Sequence, residues 1–211
     1  MNRNLETEPF VDLNFSEEKA VVILATQRSG STLLCQYIQS LKMGSPCEYF
    51  VEVLRGSCSS KELVKLGNSN NDEYYSIKLM SDYLQDFGWW VSKARSFGPG
   101  EAPLKYATEG LKYLEGKFSS IVWIKLKRSS IFEQASSRYL SEKTNLWHSW
   151  PDGVSDGSDR LVTITTKEKA HLEAVKNFDL SSFLEHCKKV IDQNLLLDEV
   201  VRAARIKCVI M

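Results

Sequence analysis

The sequence predicts an α/β fold, a parallel sheet flanked by helices, and three observations carry that prediction. Short apolar runs with β-branched or aromatic content recur at strand length over residues 21–25, 74–80 and 120–126. Between and after them lie stretches with apolar residues at helical spacing, so strands alternate with helices as parallel βαβ units require. The first run also turns through Thr26-Gln27-Arg28-Ser29-Gly30-Ser31-Thr32 straight into a helical pattern, which is how oxyanion-binding loops are built.

The 211 residues and 43% hydrophobic content suit one globular domain of ordinary size, with a lead-in over residues 1–18 and the α/β domain over 19–211. Lys+Arg and Asp+Glu both total 27, so the formal net charge is zero and a nucleic-acid-coating surface is not suggested. Five cysteines, an odd number without a CxxC pair, argue against a disulfide framework or a zinc site and favour a reducing compartment. The N-terminus is acidic and interrupted, unlike a signal peptide, and no apolar run approaches the roughly 20 residues that span a bilayer. A soluble, cytoplasmic protein is expected.

In chain order, Phe10, Val11, Leu13 and Phe15 can pack the lead-in onto the domain. After the first strand and loop, Leu33, Leu34, Tyr37, Ile38 and Leu41 have helical spacing, which predicts a helix over residues 31–42, and Gly44 and Pro46 stop it. A helix follows near residues 61–66, then a polar surface loop, then the strand 74–80. Leu84, Phe87, Trp90 and Val91 mark an amphipathic helix over 81–95, in which Trp89-Trp90 reads as packing rather than a ligand platform. Residues 96–103 are a loop, 111–118 a helix and 120–126 a strand; a helix over 131–141 comes next. The turn-rich stretch 147–160 carries two tryptophans and His148 and has the length of a functional loop. A long helix is expected over 178–204, capped by Asp179 or Ser181, and a last strand over 206–211.

The turn residues have chemistry to offer. Backbone N–H groups at the turn and the open helix N-terminus can converge on one anion, with Gly30 permitting close approach. Ser29, Ser31 and Thr32 add hydroxyl donors, and Arg28 supplies a forked cation suited to sulfate or phosphate oxygens. Glu48, between a proline turn and two aromatics, reads either as a general base, its pKa raised by partial burial, or as a surface or capping glutamate. Lys78 lies near the carboxyl end of a predicted strand, where ligands sit in open α/β sheets; a snorkelling structural lysine is its other reading. Arg128 stands at a second strand-to-helix junction, so the two junctions together suggest a ligand with two anionic ends. A salt-bridged surface arginine is the alternative.

The blocks TQRSGSTLL, PCEYF, IKLM and KRSSIFEQASSRYLSEKTNLWH, in this order and spacing, resemble the trehalose sulfotransferase family of bacteria over roughly residues 20–205. The resemblance implies a P-loop-like sulfotransferase fold whose co-substrate is 3′-phosphoadenosine 5′-phosphosulfate, without a metal. It implies transfer of the sulfuryl group to a hydroxyl of a sugar or glycolipid. The first block is not a Walker sequence: GxxxxGK[ST] is absent, and Arg28 precedes the glycine where that motif has a lysine after it. Carried over, Gln27, Arg28, Ser29, Gly30, Ser31 and Thr32 hold the 5′-phosphosulfate and Glu48 is the general base, with Arg28 and Lys78 stabilising transition-state charge. Arg128 and Ser137 bind the 3′-phosphate; Ser136 is the alternative, because other sulfotransferases have an arginine-to-serine spacing one residue shorter. Where the family has WRA-x-QT-x-x-W, Thr144 and Trp147 are kept but Arg138-Tyr139-Leu140 departs, which leaves the acceptor open. Family members continue past the strand expected at 206–211, so the resemblance also admits a fold lacking its C-terminal part.

Partners expected are a small-molecule or glycolipid acceptor and, as an assembly, a homodimer, with no nucleic acid. Two rival readings use the same residues. One is a kinase-like phosphotransferase using ATP and magnesium, which the missing Walker lysine disfavours. The other is a non-catalytic relative that only binds a ligand or partner. Cys208-Val209-Ile210-Met211 also fits the C-a-a-X prenylation pattern, against which stands the strand expected there.

Overall fold

The computed structural model describes residues 13–15, 18–55, 59–67, 73–92, 103–147 and 164–211. Its elements in order are β1 (Lys19–Ala25), α1 (Ser31–Ser40), α2 (Tyr49–Arg55), α3 (Ser60–Leu66) and β2 (Tyr74–Met80). A single 3₁₀ turn, Ser81–Tyr83, leads into α4 (Leu84–Ser92), followed by α5 (Pro103–Glu115) and β3 (Ser120–Leu126). The chain ends with α6 (Ile131–Thr144), α7 (Ile164–Lys176), α8 (Leu180–Ala204) and β4 (Cys208–Ile210). Two compact units form: one takes the chain up to Arg128 and again from Asp192, the other runs from Ser129 to Ile191.

The larger unit holds an all-parallel sheet of four strands in the order β2-β1-β3-β4, flanked by helices. Residues Ala20 to Ala25 are each 0% exposed, and because successive side chains of a strand point to opposite faces, both faces of the sheet are covered at β1. The chain leaves β1 to one side for β2 and returns to the other side for β3, so the order in which strands are added reverses between β1 and β3 while all stay parallel. Registers align Ala25 with Met80 on one side and with Leu126 on the other, so the three strands stop level. Whatever follows them is delivered to one edge.

The core gathers around this sheet. Phe50, Phe87 and Trp90 pack at 5.0–6.5 Å between ring centroids, and Trp90 is fully buried, as expected of the Trp89-Trp90 pair. Leu13 is buried and Phe15 packs on Tyr75 and Phe118; Phe10 and Val11 lie outside the described residues. Along the outer edge of β2, the carbonyls of Gly67 and Cys47 accept from Ser76 and Lys78 N–H at 3.2 and 3.0 Å, which satisfies an otherwise open strand edge.

Several elements depart from the sequence expectation. The buried face of α1 is Ser31, Cys35 and Ile38, while Leu33, Tyr37 and Leu41 are exposed. Helix α5 begins at Pro103, eight residues before the predicted start, since proline at a first helical position starts a helix instead of extending a loop. Helices α2 and α7 have no counterpart in the expectation. Within α8, Ile191 and Leu195 are exposed and Leu197, Val200 and Ala204 face the core. The strand expected over 206–211 is β4, paired to β3 from Cys208, and the loop 147–160 lies outside the described residues beyond Trp147.

The second unit builds a small core of its own from Ala135, Tyr139, Phe183 and Val190. Arg138 and Tyr139 are both buried there. Tyr139 meets Phe183 edge-on at 6.0 Å and His186 edge-on at 5.7 Å, the geometry ring quadrupoles favour.

Candidate functional site

The site is built where the level ends of β1, β2 and β3 release the chain. After β1 the backbone enters the left-handed region twice, at Arg28 (φ 62°) and Gly30 (φ 93°). For glycine this is free; for arginine it costs about 1–3 kcal/mol and persists only where the surroundings enforce it. Gly30 is the N-cap of α1, with no side-chain cap, and space is open where a Cβ would stand on it. The first-turn N–H groups of α1 therefore face out of the helix with the positive end of its dipole behind them. Ser29 closes a turn by donating from N to the Thr26 carbonyl at 3.3 Å. Its hydroxyl is buried with no hydrogen-bond partner among the described residues. Ser31 is buried, and Gln27 and Thr32 are partly so.

Two cations stand at this loop. Arg128 follows β3 and its Nη1 donates to the carbonyl of Arg28 at 3.4 Å. Burial, and then the charge of Arg128, hold the Arg28 guanidinium below the usual arginine range. Like charges brought together at a sheet edge raise the local positive potential, and an oxyanion between them relieves it. The residues predicted for the two ends of the ligand, Arg28 and Arg128, are thus neighbours.

The predicted base and the predicted strand-end cation also meet. Lys78 Nζ lies 2.8 Å from Glu48 Oε1, with side-chain exposures of 7% and 37%. Lys78 sits beside Ile23 in the β1–β2 register, and its backbone N–H holds the Cys47 carbonyl, which places Glu48. Tyr49 fastens the same turn by donating its hydroxyl to the Ser45 carbonyl. Burial alone would lower the Lys78 pKa; the Glu48 carboxylate, followed by the Cys35 thiol, more than reverses this and raises it above the ordinary lysine value. The neighbouring Cys35 thiol is pushed up to about 11 by burial.

Ser136 and Ser137 belong to the second unit. The Ser136 hydroxyl donates to the Phe132 carbonyl at 2.9 Å, and the Ser137 carbonyl accepts from the Ser141 hydroxyl at 2.8 Å. Thr144 donates to the Leu140 carbonyl at 2.6 Å and accepts from Leu146 N–H, closing the end of α6.

The sequence reading passed over one contributor, α8. Gln193 donates to Asp82 at 2.6 Å, just past the end of β2. Asn194 Oδ1 accepts from the hydroxyl of Thr26 at 3.3 Å, just past β1. Asp198 pairs with Lys125 at 2.6 Å, near the end of β3, and with Lys127 at 3.5 Å. Residues 193, 194 and 198 therefore fasten the helix to three adjacent strands in their spatial order. A signal was available: Asn194 is four residues after Val190 and three before Leu197, a polar residue on an otherwise buried stripe.

Among the described residues no group of three or more His, Cys, Asp or Glu side chains gathers into a metal site, and no helix is long and apolar enough to cross a membrane. No known protein-family model matches the chain, and a search of curated proteins finds no similar one.

Proposed function

We propose that the chain is a sulfotransferase that moves the sulfuryl group of 3′-phosphoadenosine 5′-phosphosulfate to a hydroxyl of a sugar or glycolipid. The observation that supports it most is the 2.8 Å contact of Lys78 with Glu48 at the level edge of the sheet. The loop of Arg28, Ser29 and Gly30 opens at that same edge, beside Arg128. The reading needs an oxyanion grip, a second cation and a proton acceptor, and the larger unit offers a candidate for each in the Arg28–Gly30 loop, Arg128 and Glu48.

Each residue then has a task. The open N–H groups of α1, with Ser29 and Thr32, hold the sulfate-bearing end of the donor, and Gly30 lets the backbone approach it. Arg28 and Lys78 meet the charge that spreads over the equatorial and bridging oxygens during an in-line transfer with a loose transition state. Glu48 accepts the acceptor's hydroxyl proton, and Lys78 positions that carboxylate. Arg128 meets the 3′-phosphate. Losing one such donor costs about 10²–10³ in rate, so Arg28→Ala should reduce transfer of a labelled sulfuryl group to that extent, and Glu48→Ala should do so with donor binding retained. Parent-rate turnover by both variants would show the assignment to be wrong. Calorimetry comparing 3′,5′-diphosphoadenosine with magnesium-bound ATP separates this reading from a phosphotransferase, which would prefer the latter.

A further inference from the structure

The anchoring of α8 leaves one group over. Asn194 is only 7% exposed, its Oδ1 is occupied by the Thr26 hydroxyl at 3.3 Å, and its Nδ2 is buried with no hydrogen-bond partner among the described residues. A buried amide donor left unsatisfied costs on the order of 1–3 kcal/mol, and native structures seldom keep one without a use. Two nearby leucines of the same helix, Leu196 and Leu197, already pack against the apolar core, so an apolar residue at 194 would satisfy the helix at least as well. The amide sits against Thr26, where β1 gives way to the loop, and the Ser29 hydroxyl of that loop is in the same condition, buried and unmatched. Two independent donors without partners thus flank one turn whose backbone N–H groups also point outward.

We propose that Asn194 is a binding residue of this anion site: its carboxamide accepts from Thr26 through Oδ1 and donates through Nδ2 to an oxygen of the sulfate or phosphate group seated on the loop. The side chain is thereby a bridge. One end fixes the entrance of the loop, and the other supplies a neutral donor that Arg28 and Arg128 do not. The proposal rests on reading the loop as an oxyanion grip, though not on which nucleotide carries the anion. A neutral amide gives directional contact to an oxyanion without adding to the repulsion between the two arginines.

The test uses the full chain with two probes, inorganic pyrophosphate and 3′,5′-diphosphoadenosine, titrated by calorimetry. Asn194→Asp keeps an oxygen for Thr26 and removes the donor; Asn194→Ala removes both; Thr26→Val removes the anchor and leaves the amide. If the donor binds the anion, Asn194→Ala raises Kd about tenfold or more, Asn194→Asp raises it further through repulsion, and Thr26→Val changes it less than either. In the parent labelled with nitrogen-15, the Asn194 side-chain amide resonances shift on adding pyrophosphate. Unliganded melting temperatures identify any variant that fails to fold, and Asn194→Ser then replaces it.

Parent-like affinity in folded Asn194→Asp and Asn194→Ala overturns the proposal while the sulfotransferase reading stands. Equal losses in Thr26→Val and Asn194→Ala, with no resonance shift, also overturn it, because the amide then acts only by holding the loop. A parent that binds pyrophosphate but not the nucleotide overturns the sulfotransferase reading, and the Asn194 variants are then judged with pyrophosphate. A parent that binds neither probe overturns both.

Discussion

Lys78 and Glu48 are unequal partners, and the inequality is measurable. Lys78 is nearly enclosed and Glu48 is a third exposed, so removing the carboxylate strands a buried ammonium whereas removing the ammonium leaves a carboxylate that water can reach. Breaking a fully buried pair costs about 3–5 kcal/mol. With one partner partly solvated, Glu48→Gln should cost on the order of 1–2 kcal/mol in urea unfolding, and Lys78→Met less. The pH dependence has a definite sign. A raised folded pKa means that the contribution of Lys78 is complete below its ordinary value of 10.5 and is lost as pH rises through the higher folded value. The parent should therefore lose more stability between neutral and strongly alkaline pH than Lys78→Met does, and equal losses would refute this. At this scale the sequence was most legible where chemistry constrains residue type: Arg28, Glu48 and Lys78 were named from the loop, the proline turn and the strand end. It was silent on what the Asn194 amide faces, the residue showing only as a polar position on a buried helical stripe. It was silent as well on the left-handed Arg28, a conformation set by the fold around it.

Helices α4 and α5 meet through glycines. A Cβ on Gly88 would stand 1.6 Å from the Tyr106 carbonyl oxygen, and one on Gly110 would stand 2.9 Å from the Gly88 Cα. Alanine is the better helix former by about 1 kcal/mol, yet Gly88→Ala should destabilise by about 1–3 kcal/mol or more because backbone must give way. Gly116→Ala, whose Cβ would make only ordinary contacts at 3.6 Å, is the control. Thermal midpoints decide, and a neutral Gly88→Ala would show that the helices separate easily. In the second unit, His186 of α8 lies 3.6 Å from Glu142 of α6, which also holds Arg138 at 3.4 Å. Burial lowers the His186 pKa, opposed by Glu142 and Glu185 and assisted by Lys189 and Arg138. The folded state thus binds its proton less readily than the unfolded chain does. Its contribution is complete above the ordinary value of 6.5 and is lost as pH falls through the lowered folded one. Urea midpoints of His186→Leu should accordingly fall less than the parent's on acidification from neutral pH. Strands with β-branched and aromatic content were readable to the residue, as β2 and β3 show. Helix α2, at seven residues, is too short to display a period, and α7 lacks a clear apolar stripe in its first turns.

Across the larger unit, the strand order explains why distant parts of the sequence converge. The reversal between β1 and β3 opens the sheet edge at the point where ligands bind in open α/β folds, and the two arginines flank that point. Binding there should be visible as stability: a ligand at 100 times its Kd adds about 2.7 kcal/mol. Inorganic pyrophosphate should therefore raise the melting temperature of the parent, and do so much less in Arg28→Ala. An equal rise in both would place the anion elsewhere. The alternation of strands and helices announced this architecture, but strand order depends on which crossover the packed helices allow, and that is a property of the assembled core. The hydrogen bond between Thr26 and Asn194 joins residues 168 apart in the chain, and that between Arg28 and Arg128 joins residues 100 apart. Pairings this remote close large loops before they return any energy, so they form slowly. The loop over residues 26–32 is thus held by partners that lie 100 and 168 residues further along the chain. Its conformation is therefore settled late in folding, once Arg128 and Asn194 have docked against it.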